Sequence, residues 1–280
     1  MDEINYIRNK YKFETSKKLG QNFIIDEDVL EEISEGSDTV GNIVIEVGPG
    51  IGSLTAKLAE TARCVIAIEL DERLIPILTD RFTRYDNVEI IHGDVLEVDL
   101  KKIADDAKEK YGNLPIRIVG NLPYYITTPI ILRLLRRETP AYSVTIMVQK
   151  EVADRIVAEP GTKLCGALTY AVHYYTVPKK ICVVGSECFY PRPKVDSEVI
   201  RLELRKEKPV EVRDEELLFK CIKAGFLQRR KTLLNSLQSL GEYDKEEIRA
   251  ALEKAGIDSR RRSESLSLEE FARLAAALTE

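Results

Sequence analysis

The stretch Asn-Leu-Pro-Tyr at residues 121–124 follows the apolar run IRIVG and carries groups that could present an aromatic amine for reaction. Such an amine is a poor nucleophile because its lone pair is conjugated with the ring, so it must be held while it reacts. The Asn121 side-chain oxygen and the Leu122 carbonyl could accept its N–H bonds, with Pro123 fixing the backbone so that the carbonyl points inward. Tyr124 offers a face on which a base could stack, worth about 1–3 kcal/mol. The pattern favours methyl transfer to the amine of a nucleobase, and it requires neither a metal nor a covalent nucleophile.

Gly48, Gly50 and Gly52 follow the β-branched run NIVIEV and precede an amphipathic segment. Glycines at such a turn let the backbone approach a ligand closely, and the helix that follows presents its positive end to the same place. The spacing is GxGxG, whereas the dinucleotide fingerprint is GxGxxG. A dehydrogenase uses a similar turn, so this segment alone predicts only a nucleotide-like ligand.

Two acidic residues follow the next two apolar runs. Glu69 ends CVIAIE, 21 residues after Gly48, where a carboxylate can accept both hydroxyls of a ribose. Hydrogen bonds of this charged kind contribute about 1.5–3 kcal/mol each. Asp94 follows VEIIHG and could accept the amine of an adenine, although a helix cap is a comparable interpretation. Together with Gly48, these acids predict a nucleoside site, and the pairing fits nucleosides in general.

The elements that must position these residues alternate between strands and helices from Ile43 onward. The predicted strands are apolar almost throughout, as in a parallel sheet with helices on both faces. After Pro129 the pattern predicts a helix over 130–137, and 179–204 predicts two more strands joined by a proline-rich loop. Past Lys208 the pattern is helical only, with a capping box at Ser267 and Glu270. We therefore predict an α/β domain over residues 1–208 and a small all-helical domain over 209–280.

Bulk properties limit the class of protein. The net charge is −5, which by itself argues against a nucleic-acid partner, but basic residues are clustered in runs. Arg229, Arg230 and Lys231 form one such run, which could contact RNA phosphates or could be solvated helix surface. No segment has the roughly 18 apolar residues of a membrane span, and the amino terminus lacks the apolar core of a signal peptide. With five scattered cysteines that suit a reducing compartment, we expect a cytoplasmic monomer with no membrane partner.

Six ordered segments resemble the KsgA family of small-subunit ribosomal RNA adenine dimethyltransferases. They are KKLGQNF (17–23), EVGPGIG (46–52), NLPYYITTPI (121–130), FYPRPKVDS (189–197), FLQRRKTLLNSL (226–237) and ESLSLEEFARLA (264–275). The resemblance runs from about Lys17 to the end of the chain and so covers both predicted domains. The stretch from Cys165 to Thr169 departs from the family pattern, as does GSEC before Phe189, so RNA contacts near those places are not implied.

The resemblance implies a Rossmann-like class I methyltransferase with a seven-stranded sheet, S-adenosylmethionine as cofactor and RNA as partner. The implied substrate is a pair of adjacent adenines in the 3′-terminal hairpin loop of 16S RNA in the small ribosomal subunit, with a role in subunit biogenesis. Phe189 is implied as a second ring that clamps the adenine opposite Tyr124. The implied and inferred cofactor contacts are Asn22, Ile24, Gly48, Gly50, Glu69, Asp94 and Asn121.

Three other functions compete with this interpretation. A macrolide-resistance methylase resembles the same family and modifies large-subunit RNA, but FYPRPKVDS and FLQRRKTLLNSL favour the small-subunit enzyme. Glutamine and DNA-adenine methylases use a related Asn-Pro-Pro-Tyr segment. A mainly noncatalytic ribosome-assembly or nucleic-acid-binding protein is the third alternative, against which the intact cofactor residues argue.

Overall fold

A computed structural model describes residues 2–16, 19–135, 140–228 and 230–279 of the chain. Contacts divide the chain into two compact units, Met1–Ala153 with Lys179–Leu204, and Asp154–Pro178 with Arg205–Glu280. The sequence predicted one boundary, at residue 208. Residues 154–178 instead belong with the second unit, because they bury Tyr170 and Tyr174 in the apolar core formed by its helices.

The strands of the described chain form a large sheet and a small one. They are β1 (Phe23–Ile24), β2 (Ile43–Val47), β3 (Cys64–Glu69), β4 (Val88–His92), β5 (Ile116–Asn121), β6 (Ser143–Gln149), β7 (Thr176–Val184), β8 (Phe189–Tyr190) and β9 (Ser197–Leu204). The large sheet has seven strands in the order β4-β3-β2-β5-β6-β9-β7, which confirms the predicted seven-stranded sheet. Every residue of β2 and β3 is buried, as expected for strands covered on both faces.

The helices of the first unit pack against this sheet. They are α1 (Asp2–Tyr11), α2 (Glu27–Gly36), α3 (Ser53–Thr61), α4 (Ile75–Arg81), α5 (Leu100–Tyr111) and α6 (Thr127–Leu134), and α7 (Lys150–Val157) spans the boundary between the units. One apolar core joins α2 and α3 to the sheet, and another joins α1 to α4 and the β1 segment.

The order of the parallel strands reverses beside β2. From β2 the chain builds outward through β3 and β4 on one side, and through β5 and β6 on the other, all in parallel register. Such a reversal leaves a crevice at the carboxyl ends of the strands, where ligands bind in open α/β sheets. Glu69 and Asn121 are the last residues of β3 and β5, so the topology alone brings them to this edge.

Helix α6 begins earlier than the sequence predicted. We expected a helix only after Pro129, but α6 starts at Thr127, whose hydroxyl donates to the Pro123 carbonyl at 3.1 Å. Proline is tolerated in the first turn of a helix because the N–H groups there have no partner inside the helix. The predicted carboxyl end of this helix, at residues 136–137, lies outside the described residues.

The described elements of the second unit are mainly helical. They are α8 (Ala167–Tyr175), α9 (Glu215–Leu227), α10 (Leu233–Leu237), α11 (Lys245–Lys254) and α12 (Leu268–Leu278). The predicted capping box at Ser267 and Glu270 is confirmed, since each residue bonds the other's backbone N–H. Helix α8 was not predicted from sequence.

Nowhere in the described ranges does a helix combine the length and apolar character that a membrane crossing requires.

Candidate active site

An open pocket lies at the carboxyl edge of the parallel strands in the first unit, and its empty space, including the solvent at its mouth, is about 1080 Å³. Its walls come from the β1 segment, the turn after β2, the ends of β3 and β4, and the stretch after β5. Residues predicted for the site that line this pocket are Asn22, Ile24, Gly48, Gly50, Glu69, Asp94, Asn121, Leu122, Pro123 and Tyr124. The structure therefore brings together ten residues that the sequence spreads over a hundred positions.

The turn between β2 and α3 takes a shape that requires glycine. Gly48 and Gly50 have φ values of 69° and 61°, in the left-handed region that side chains disfavour. A Cβ at Gly50 would also stand 2.8 Å from the Phe23 ring, whereas a Cβ at Gly48 would meet only the Asn121 carbonyl oxygen, at 3.9 Å. The backbone is thus fixed at Gly50 and left open at Gly48, where a ligand can approach it.

Glu69 holds the turn and faces the pocket at the same time. Its two oxygens accept the backbone N–H groups of Gly50 at 3.0 Å and Asp71 at 2.8 Å. Burial raises the pKa of this carboxyl, while those two N–H groups act in the opposite direction. A carboxylate oxygen can accept more than one hydrogen bond, so Glu69 retains capacity for a pair of ligand hydroxyls.

Asp94 follows β4 and combines the two roles that the sequence left open. One carboxylate oxygen accepts the Leu96 backbone N–H at 2.8 Å, which caps the next turn. The residue also lines the pocket. The hydrogen bond from the Leu96 N–H fixes the Asp94 side chain, so Asp94 can cap the turn and face a ligand at the same time.

The Asn121 amide is oriented by the loop that carries Asn22. Its nitrogen donates to the Asn22 carbonyl at 2.9 Å. Because the amide nitrogen is engaged there, the Asn121 side-chain oxygen is the atom left to accept a hydrogen bond from a ligand. The Asn22 side chain in turn donates to the Gly20 carbonyl at 3.1 Å, which stiffens the loop.

Tyr124 is held by Ser197, a residue that was not predicted to have a role in the site. Its hydroxyl lies 2.7 Å from the hydroxyl of Ser197, which is buried at the start of β9. Burial raises the Tyr124 pKa, so the ring stays neutral. Ser197 is the last residue of FYPRPKVDS, and its position in that segment was the available signal.

Replacing Ser197 by alanine is expected to lower the methyl-transfer rate about 3–10-fold without changing cofactor affinity, because a net hydrogen bond contributes roughly 1 kcal/mol. Single-turnover rates measured beside cofactor titrations would check this. An equal loss in Tyr124→Phe and in the double variant is expected, since all three remove the same bond; additive losses would contradict the assigned role.

Phe189 is buried in this structure. It is 3% exposed, packs in the apolar core with Ile24 and Val199, and is not part of the pocket wall. Its partner in the β1–β8 register is Ile24, which packs in that core and also lines the pocket. Phe189 thus anchors the β1 segment, and its implied role as a second ring opposite Tyr124 stays a prediction.

The charges of the pocket decide between ligands. Its wall in the described chain contains Glu46, Glu69 and Asp94 and no lysine, arginine or histidine. A dinucleotide carries an anionic pyrophosphate, for which the described wall offers no cationic side chain and only the backbone N–H groups of the glycine turn. S-adenosylmethionine carries a sulfonium, an ammonium and a single carboxylate, so the side chains present fit it. The glycine turn and Glu69 match its nucleoside part.

The comparison with protein families agrees with this chemistry. The model for "Ribosomal RNA adenine dimethylase" matches residues 12–280. The chain belongs to that family. Its curated relatives include "Ribosomal RNA small subunit methyltransferase A" of Lachnoclostridium phytofermentans, 50% identical over 98% of this chain and 95% of the relative. The protein of the same description from Clostridioides difficile is 48% identical over 94% of this chain and 90% of the relative.

Solved structures give the same fold. A dimethyladenosine transferase from Plasmodium falciparum superposes with a TM-score of 0.72 at 25% identity, over 90% of this chain and 95% of that one. The 23S rRNA methyltransferase ErmE superposes with a TM-score of 0.66 at 27% identity, over 92% of this chain and all of the other. This family member is therefore a class I methyltransferase in fold, as predicted.

Sequence reasoning missed a group of residues that fixes the loop over the pocket. The Gln21 side chain donates to Asp71 at 2.7 Å, and Arg73 pairs with the same carboxylate. The Arg73 guanidinium holds the Asp71 pKa below its ordinary value. Arg73 also lies over the Phe13 ring, so this cluster ties the amino-terminal segment to the end of β3. Sequence spacing gives no signal for it, because Gln21 and Asp71 lie 50 positions apart.

The predicted RNA-contacting run is partly described. Arg230 and Lys231 are exposed between α9 and α10 in the second unit, while Arg229 lies outside the described residues, as do Lys17 and Lys18 of the first family segment.

Proposed function

We propose that this chain transfers methyl groups from S-adenosylmethionine to the exocyclic amines of two adjacent adenines in the 3′-terminal hairpin loop of small-subunit ribosomal RNA. The product is dimethyladenine at each position. The observation that carries the proposal is a pocket whose wall, among the described residues, has acidic and no basic side chains and whose rim is formed by Asn121, Leu122, Pro123 and Tyr124. Family membership supplies the class of substrate.

Each part of the pocket has an assigned task. Glu69 holds the ribose hydroxyls of the cofactor, Asp94 its adenine amine, and the backbone at Gly48 its methionine part. The loop with Asn22 and Ile24 covers it. When bound, S-adenosylmethionine supplies an electrophilic methyl group on a sulfonium.

The reaction requires the chain to hold the target amine. The adenine leaves the RNA stack and lies on the Tyr124 ring, whose position Ser197 fixes. Its two N–H bonds are accepted by the Asn121 side-chain oxygen and the Leu122 carbonyl, which aligns the nitrogen lone pair with the incoming methyl carbon. The amine nitrogen forms a bond to the methyl carbon while the carbon–sulfur bond breaks to leave a neutral thioether, and the nitrogen then loses a proton to solvent. No other nucleophile takes part.

The second methylation starts with one fewer N–H bond. The contacts to Asn121 and Leu122 must therefore weaken between rounds, and spent cofactor must be exchanged between them. The loop fixed by Gln21 and Asp71 is the part of the pocket wall that has to release for this exchange.

Sequence similarity supports the small subunit over the large one. The relatives described as small-subunit methyltransferases are about half identical to this chain, whereas the 23S enzyme ErmE is 27% identical. We further propose that the enzyme acts as a monomer in the cytoplasm on assembling subunits.

The direct test uses ribosomal subunits from cells that lack small-subunit dimethyladenine. Small and large subunits are incubated separately with the enzyme and tritiated S-adenosylmethionine. We expect label in the small subunits only. Label in the large subunits alone would indicate the macrolide-resistance activity, and binding to small subunits without label would indicate a noncatalytic assembly factor.

Arg230 and Lys231 are proposed to contact RNA phosphates from the second unit, together with Arg229. Replacing both Arg230 and Lys231 by glutamine should weaken small-subunit binding and lower the slope of log affinity against log salt by about one per charge removed. Filter binding over a range of salt concentrations measures both effects, and cofactor affinity should not change.

A matched control removes the same two charges from another exposed place in that unit. Lys245 and Arg249 are exposed on α11 and serve this purpose as glutamines. If the control changes the salt slope as much as the Arg230 and Lys231 pair does, the effect is one of net charge and the phosphate contacts are refuted.

A further inference from the structure

Tyr125 is an exposed aromatic residue on the wall of the pocket, next in sequence to the ring on which we place the target adenine. It lines the pocket and is 59% exposed, whereas Tyr124 is partly buried. Single exposed aromatic residues are common on protein surfaces, but this one lies at the rim that an RNA substrate has to cross to bring an adenine to Asn121. No role was predicted for Tyr125 from the sequence.

The two consecutive tyrosines extend to different sides. The Tyr124 hydroxyl lies 2.7 Å from the Ser197 hydroxyl at the start of β9. The Tyr125 ring instead lies against Gly20 in the loop before β1, where an added Cβ would stand 3.3 Å from the ring. Gly20 has a φ of 61°, in the left-handed region, so glycine suits this close approach. Tyr125 is thus seated on backbone, and its ring offers a second place for stacking, separate from Tyr124.

Extrusion of the target adenine also affects the next base in the RNA strand. That base loses a stacking partner, which contributes to the cost of extrusion. One phosphodiester link joins the two nucleotides, so the neighbouring base stays at the rim of the pocket when the target lies on Tyr124. An aromatic ring at the rim can replace the lost stack, and it does so for any base because every base has a π face.

We propose that Tyr125 stacks on the base next to the target adenine and so stabilises the RNA with that adenine extruded, an inference that rests on the proposed function. A ring already seated on Gly20 loses little conformational freedom when a base covers it. Because an RNA strand has a direction, the stacked base always lies on the same side of the target. For one adenine of the pair it is the other adenine, and for the second it is the nucleotide that flanks the pair.

The test combines Tyr125 variants with small subunits that carry a single target. In each subunit one adenine of the pair is replaced either by guanine, which keeps a face for stacking but has no amine at the reacting place, or by an abasic nucleotide. Replacing the 5′ adenine in some subunits and the 3′ adenine in others probes both sides of a target. The second-order rate constant for methylation of the remaining adenine is measured for the native chain, Tyr125→Ala and Tyr125→Phe.

The loss caused by Tyr125→Ala should depend on the base at one neighbouring position. With guanine on the stacked side we expect a rate constant lower by about 5–100-fold, the effect of losing one base–aromatic stack, and with an abasic nucleotide there almost no loss. On the other side, guanine and abasic subunits should show the same loss. Tyr125→Phe keeps the ring and should react like the native chain. Equal losses on guanine and abasic subunits at both positions would overturn the proposal.

Two further measurements separate stacking from support of the loop at Gly20. Calorimetric affinity of Tyr125→Ala for S-adenosylhomocysteine should stay within about twofold of the native value; weaker binding together with equal losses on guanine and abasic subunits would show a role in the loop only. Tyr142→Ala is the matched control, because Tyr142 is 54% exposed directly before β6, at the opposite edge of the sheet, and its loss should not change the rate. If the native chain methylates no adenine in unaltered small subunits, the proposed function fails; methylation without the guanine–abasic difference refutes only the present inference.

Discussion

Replacing Asn121 by alanine is expected to lower the single-turnover rate of methyl transfer by about 10²–10³-fold at saturating cofactor and RNA. The change removes the side-chain oxygen that accepts a target N–H bond, and the loss of one preorganised polar group at a reacting centre has effects of this size. It also removes the bond to the Asn22 carbonyl. Rapid-quench measurement of tritiated methyl incorporation gives the rate.

Asn22→Ala is the matched control for this experiment. It keeps the Asn22 backbone carbonyl, and so the orientation of Asn121, but removes the side chain that bonds Gly20. We expect weaker cofactor binding and a near-normal rate once cofactor is saturating. If Asn121→Ala reacted within about threefold of the native rate, Asn121 would not hold the amine.

Glu69→Ala is expected to raise the dissociation constant for S-adenosylhomocysteine by about 10²–10⁴-fold, because two charged hydrogen bonds of about 1.5–3 kcal/mol each are lost. The variant also leaves the N–H groups of Gly50 and Asp71 without their acceptor, so the turn after β2 loses its support. Calorimetric titration measures the constant.

Thermal unfolding of the ligand-free variants separates the two consequences of this change. Glu69→Gln keeps one oxygen acceptor and should weaken binding by a smaller factor than Glu69→Ala, with a smaller change in Tm. Native affinity in a folded Glu69→Ala variant would show that the ribose is held elsewhere.

The sheet edge and most of the site could be predicted from sequence because parallel strands end on one side. Glu69, Asp94 and Asn121 each follow an apolar run, and that regular spacing was enough to predict that they meet. Glu69 and Asn121 are the last residues of β3 and β5, so their places in the site follow from where the strands end and not from side-chain packing. The glycines of the turn after β2 could also be predicted, because that turn requires positive φ values.

Residues whose roles depend on register could not be predicted in this way. The burial of Phe189 is one example, because the β1–β8 register that pairs it with Ile24 does not follow from the sequence, and a shift of one residue would reverse which side chains face the core. Helix α8 was missed because its residues, including Tyr170 and Tyr174, are apolar on most sides. Its core partners lie beyond residue 208, and a local pattern does not contain them.

Contacts between distant parts of the chain could also not be predicted from the sequence. Ser197 reaches Tyr124 over 73 positions, and Gln21 reaches Asp71 over 50. Serine and glutamine are common surface residues, so residue type and spacing alone carry no signal, and Ser197 was marked only by its place in the segment FYPRPKVDS. Only the fold shows that each one fixes a residue of the pocket wall.

Mass spectrometry of nucleosides from small-subunit RNA shows which base the chain methylates and how many methyl groups it adds. Undermodified small subunits are incubated with the native chain and S-adenosylmethionine, the 3′-terminal hairpin is isolated, and its nucleosides are identified. We expect dimethyladenosine at two adjacent positions, and no such product with Asn121→Ala over the same time. Methylation of another base, of ribose, or of no nucleoside at all in the presence of bound cofactor would contradict the proposed function.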